Sequence, residues 1–152
     1  MEHSFIEHVN NSFSKLAEKH GLRKVNELND GQSYYIEYLS NKFVIKIEKY
    51  RREFYTTLYK ANNIDSGVNL FNLLCYLNQE SSNIPKSEYF TDDSNLEECY
   101  KKQMNYISDM IYENFDIIND FFNDVDFDLR FAEIEKFMLN KYPNLFNVNP
   151  NE

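Results

Sequence analysis

Between residues 23 and 60, apolar and polar residues alternate at a period of two. Turn-forming pairs break the alternation at Asp30-Gly31, Ser40-Asn41 and Arg51-Arg52. A period of two sends successive side chains to opposite faces of a strand, so the segment predicts an antiparallel meander. Its strands run near 23–29, 32–39, 42–50 and 53–60. Asp30-Gly31 is the strongest of the turn signals, because both central residues of a tight hairpin need positive φ. Two-residue loops throughout would pair Val25 with Ile36, Ile36 with Ile45 and Ile45 with Leu58. One face then carries Val25, Tyr34, Ile36, Tyr38, Phe43, Ile45, Ile47, Phe54 and Leu58, and is the expected core face. The other presents Tyr35, Glu37, Val44, Lys46, Glu48, Tyr50, Tyr55 and Tyr59, a mixture suited to a solvated or binding surface.

Helical spacing flanks this meander on both sides. Ser4 and Glu7 have the spacing of a capping box, and Ile6, Val9, Phe13, Leu16 and His20 follow, with Gly21 placed for a left-handed C-cap. This predicts a helix over about 5–20. After a polar link at 61–66, Ser66 is placed to cap a short helix bearing Val68, Leu70, Leu73, Leu74 and Leu77. A polar loop follows at 80–94 with Pro85 near its middle. A second Ser-x-x-Glu box, Ser94 to Glu97, opens a long helix to about 123. A last helix over 129–141 carries Phe131, Ile134, Phe137 and Met138 and stops at Pro143. The expectation is a single α+β domain over 1–152: an N-terminal helix, a four-stranded antiparallel meander, then three helices packed on one sheet face.

Charge divides the chain unevenly. Residues 1–60 hold 10 Lys/Arg against 8 Asp/Glu, a net of +2, whereas 61–152 hold 6 against 17, a net of −11. The acidic balance argues against general nucleic-acid binding, since a polyanion is repelled. No apolar run approaches the roughly 18 residues of a membrane span, and no signal-peptide pattern is seen. Cys75 lies in the apolar run Leu73-Leu74-Cys75-Tyr76-Leu77 and reads as a small buried hydrophobe. It makes no close-spaced motif with Cys99, so a reduced, cytoplasmic protein is expected.

Tests for chemistry lead to surfaces rather than to an active site. The three glycines all have structural places: Gly21 at a helix end, Gly31 in a turn and Gly67 at a helix start. None is left for a phosphate-cradling loop, and no cofactor is implied. His3, His8 and His20 fall on the first helix or its edge, without metal-ligand spacing. Asp124, Asp126, Asp128 and Glu135 occupy positions 1, 3, 5 and 12 of a calcium-loop spacing, but Leu129 stands where the sharp turn requires Gly. Val125, Phe127 and Phe131 form an apolar alternation through the same stretch.

The acids of the long helix are better ordered. Asp109, Glu113, Asp116 and Asp120 fall within a stripe roughly 60° wide at about 100° per residue. Ile107, Met110, Ile111, Ile117, Ile118, Phe121 and Phe122 are expected on the buried side. The stripe is either a solvated face or a docking site for a basic partner. A divalent-metal protein or metal-dependent enzyme using the acids of 109–128 is the alternative. The second candidate surface is the tyrosine face, Tyr35, Tyr50, Tyr55 and Tyr59, since tyrosine is enriched at binding hot spots. A homodimer, as a structural or adaptor protein, could bury it instead.

The order of segments carries a resemblance. Phe13-x-x-Leu16 and His20-Gly21-Leu22 close a first helix. Tyr34-Tyr35-Ile36-Glu37-Tyr38, Phe43-Val44-Ile45-Lys46-Ile47 and Tyr50-Arg51-Arg52-Glu53-Phe54 follow. Over residues 5–80 this pattern resembles small bacterial proteins classed with the immunity proteins of polymorphic-toxin loci. The resemblance implies a non-enzymatic protein that binds a toxin domain and covers its active site. The acidic helical half would suit a basic toxin such as a nuclease.

Overall fold

The computed structural model describes residues 2–31, 33–50, 53–80 and 96–141. Helix α1 (Glu2–His20) is followed by strands β1 (Arg23–Asn29), β2 (Tyr34–Leu39), β3 (Phe43–Tyr50) and β4 (Glu53–Lys60). A 3-10 turn at Ile64–Ser66 leads to a two-residue strand β5 (Val68–Asn69) and helix α2 (Leu70–Leu77). Helices α3 (Leu96–Glu113), α4 (Phe115–Asn123) and α5 (Phe127–Lys141) complete the described chain. The five strands form one antiparallel sheet in the order β1-β2-β3-β4-β5. The α+β architecture is the one the alternation predicts, with β5 added at the edge. The loop around Pro85, the Ser94 cap, Arg51-Arg52 and the stop at Pro143 lie outside the described residues.

The register differs from the two-residue expectation in an instructive way. Ile36 pairs with Ile47 rather than Ile45, while Ile45 does pair with Leu58. Both of the first two hairpins are centred one place later than expected, the second on 41–42. Asp30 and Ser40 stand before these turns and close them. Asp30 Oδ1 accepts from Ser33 N–H (2.8 Å), and Ser40 Oγ accepts from Phe43 N–H (3.1 Å). Gly31 then takes the positive φ of +88°. Moving a hairpin centre by one residue shifts pairing by two, which leaves every side chain on its face. Val25 is the exception: the register slips between Lys24 and Asn26, and Val25 turns out to solvent, 47% exposed.

The core lies between the sheet and the helices. Ile36, Tyr38, Phe43, Ile45, Ile47, Phe54 and Leu58 are buried against Phe5, Val9, Phe13 and Leu16 of α1 and Tyr100, Met104, Ile107 and Ile111 of α3. Phe13 stacks on Tyr38 (5.3 Å), Phe5 on Phe54 (5.7 Å) and Phe43 on Phe122 (5.1 Å). Thr56 also points into this core, opposite Ile47, and its hydroxyl finds no hydrogen-bond partner among the described residues. Desolvating a hydroxyl without a partner costs about 1 kcal/mol or more. Thr56→Val is therefore expected to raise the melting temperature by roughly 2–4 °C, read by calorimetry; an unchanged or lower value would contradict the burial.

Several helix ends differ from expectation. Helix α1 begins at Glu2, so Ser4 lies inside its first turn and is not its cap. Its far end is as predicted: Gly21 has φ +65° and Leu22 N–H reaches back to Ala17 O (3.1 Å). Asn69, not Ser66, caps α2, with Oδ1 accepting from Phe71 and Asn72 N–H. Ser66 is buried instead, where Oγ accepts from Lys60 N–H (2.8 Å) and donates to Asn63 O. Gly67 starts no helix; a Cβ there would stand 3.2 Å from Thr57 Cγ2. The long helix is interrupted at Asn114, although Asn114 N–H still bonds Met110 O and Ile118 N–H bonds Asn114 O. Ile117 then emerges on the outside, 38% exposed, and Val125 stands almost fully in solvent.

Candidate functional site

The two candidate surfaces lie on opposite sides of the molecule. All buried strand residues face the helices, so period two sends Tyr35, Tyr50, Tyr55 and Tyr59 to the other side of the sheet. Asp109, Glu113, Asp116 and Asp120 are exposed on α3 and α4, beyond the helical layer. A flat partner can therefore cover one surface or the other.

The helical surface is anionic. None of the four carboxylates has a basic group within ion-pair distance among the described residues. Ile117 is exposed on α4 beside Asp116. At its edge His20 stacks on Phe115 at 3.7 Å, and Lys15 and Lys19 sit over the Tyr112 ring at 4.4 and 5.0 Å. Burial and the neighbouring Lys19 hold the His20 imidazole below its ordinary pKa, against the opposing pull of Asp116. His8 makes a 3.0 Å contact with Glu97 and so ties α1 to α3.

The sheet face is polar but largely satisfied within itself. Asn26 Nδ2 donates to Glu37 (2.9 Å) and Tyr35 OH (3.3 Å), and Tyr59 OH donates to the same Glu37 carboxylate. Lys46 Nζ lies over the Tyr35 ring at 4.6 Å and 3.4 Å from Glu48. Tyr55 OH donates to Glu53. Tyr50 and Tyr55 are 58% and 43% exposed, while Tyr35 and Tyr59 are half-buried by their neighbours. Locked side chains lose little entropy when a partner arrives, so this face is preorganised.

The same contacts set the alkaline behaviour. Burial pushes Tyr38 up to about 12, with Glu27 adding to it. Burial and then Glu37 raise Tyr59, burial and then Glu133 raise Tyr76, and the hydrogen bond to Glu53 raises Tyr55. A folded-state value above the unfolded one gives stability that is complete below the unfolded value and lost as pH rises through the folded value. Denaturation midpoints should therefore fall as pH climbs from about 10 to about 12. In an ultraviolet titration, Glu37→Gln should bring one late tyrosine to lower pH; an unchanged curve would contradict the Glu37–Tyr59 bond.

The calcium-loop spacing does not close into a loop. Helix α5 begins at Phe127, which puts Asp128 in its first turn and Glu135 two turns further on. Asp124 is already engaged: Oδ1 accepts from Asp126 N–H (2.8 Å) and Oδ2 from Arg130 (3.0 Å). These bonds, the backbone one foremost, hold its carboxyl below the usual range. Arg130 also lies over the rings of Tyr76 and Phe121, and Tyr76 OH donates to Glu133 (2.7 Å). This corner, which joins α2, α4 and α5, was not apparent from spacing, because its members are up to 57 residues apart. Among the described residues no three His, Cys, Asp or Glu side chains converge on one point. Cys75 and Cys99 are both buried and not cross-linked, and no helix among the described residues is long and apolar enough to cross a membrane.

No protein family, no curated protein and no solved structure matches this chain.

Proposed function

We propose that this is a non-enzymatic binding protein that recognises a basic protein domain through the outer surface of α3 and α4. One observation carries the reading: Asp109, Glu113, Asp116 and Asp120 are exposed, and none has a basic group within ion-pair distance among the described residues. Like charges at i,i+4 cost a few tenths of a kcal/mol per pair in the free protein. A basic partner relieves that repulsion, and complementary charge also speeds encounter. Ile117, exposed beside Asp116, adds an apolar contact at the flank of the charged stripe.

Within this class, an immunity protein that neutralises a toxin domain is the specific form we favour, supported by the pattern resemblance over residues 5–80. A nuclease toxin fits best, because its phosphate-binding surface is basic and a row of carboxylates mimics phosphates. The sheet face supports a second reading, self-association through Tyr35, Tyr50, Tyr55 and Tyr59, for which light scattering is the check. A metal-dependent role for the acids of 109–128 would show as heat in calorimetry with calcium, magnesium or manganese. The docking reading itself is tested by association kinetics of the purified partner with a variant whose stripe is reversed in charge.

A further inference from the structure

A cleft of about 410 Å³ opens between the β5–α2 segment and α5. One lip is formed by Gly67, Asn69 and Asn72, the other by Phe131, Ala132 and Glu135, with Val68, Ile134 and Met138 beneath. The three floor residues are 8%, 4% and 5% exposed, so the floor is apolar and part of the core. No lysine or arginine lines the cleft. Glu135 is exposed on its lip and has no ion-pair partner among the described residues. Asn69 Oδ1 is engaged by the α2 cap, and Asn72 is the other amide residue lining the cleft that Glu135 also lines.

We propose that this cleft receives an arginine side chain presented by the partner protein. The lining selects the occupant by chemistry. An anion meets Glu135 and the surplus negative charge of the C-terminal half, and is repelled. A purely apolar group covers the floor but desolvates the Glu135 carboxylate without pairing it, which costs free energy. An arginine satisfies both parts: its methylene stem lies along Val68, Ile134 and Met138 while its guanidinium meets Glu135 and the Asn72 carbonyl. The volume lies within the range of sites that enclose small groups, enough for one such side chain and its flanking backbone. Gly67 keeps its lip bare, and the 3.2 Å distance from a Cβ there to Thr57 shows that the lip backbone is pressed against β4.

The inference rests on the basic-partner reading for its biological occupant, but it can be tested without the partner. Amide spectra of the full chain are titrated with N-acetyl-arginine amide, N-acetyl-citrulline amide and N-acetyl-leucine amide. Saturable shifts confined to residues 67–72 and 131–138 are expected with the arginine probe. Binding should weaken about fivefold with citrulline, and by a similar factor in Glu135→Gln. Ala132→Trp, at an exposed position on the lip, should abolish it. Equal response to citrulline or leucine, shifts scattered over α3 and α4, or an unchanged Glu135→Gln titration would overturn the proposal. None of these results touches the docking reading, whose variants lie on α3 and α4.

Discussion

Replacing Asp109, Glu113, Asp116 and Asp120 together by lysine should slow association with the partner by about ten- to a hundredfold at low salt. The basis is electrostatic steering: exposed charges mainly alter the encounter rate, and their effect falls within a Debye length of about 10 Å at 0.1 M salt. The wild-type rate should therefore drop steeply as salt is added, and the reversed variant should show little or inverted dependence. The substitutions are at exposed helix positions, so folding should survive them. Removing carboxylate repulsion and adding lysine repulsion roughly cancel at the i,i+4 pairs. Stopped-flow mixing reads the rates, and circular dichroism verifies the fold.

The second large effect concerns which sheet face is the core. Phe43 is fully buried, stacked on Phe122 at 5.1 Å and tilted against Phe115 at 5.5 Å, so it joins β3 to both ends of α4. Phe43→Ala should cost about 3–5 kcal/mol, combining lost burial with the cavity left behind. For a chain of this length that lowers the melting temperature by roughly 6–20 °C. Tyr55→Ala on the opposite face should remain within about 0.5 kcal/mol of wild type, because that residue is exposed and outside the core. Comparable losses at the two positions would mean that something covers the tyrosine face, and would favour the self-associated reading.

The sheet was legible because one chemical pattern determines it. Period-two alternation from Tyr34 to Leu58 identified every buried strand position of β2, β3 and β4 except Thr56, a polar residue that the pattern cannot flag. Turn positions were less readable. Asp30 and Ser40 use their side chains before the turn rather than within it, and that choice depends on hydrogen bonds formed only when the hairpin closes. At Val25 the alternation failed because a bulged edge strand need not bury its apolar residue. The exposed acid stripe was visible from helical spacing alone. The interruption at Asn114 was not, since no proline or glycine marks it. The Glu135 cleft was hidden for a different reason. Its two lips come from segments about sixty residues apart, and spacing groups Glu135 with Asp124, whereas α5 carries Glu135 two turns beyond Asp128.

The most direct test is a paired affinity capture from the native host, with the wild-type chain and the four-lysine variant as baits, washed at low and at high salt. The expected result is one stoichiometric basic protein on the wild type, shed as salt rises, and absent from the variant. Recovery of the same stoichiometric protein by both baits, with equal resistance to salt, would contradict it.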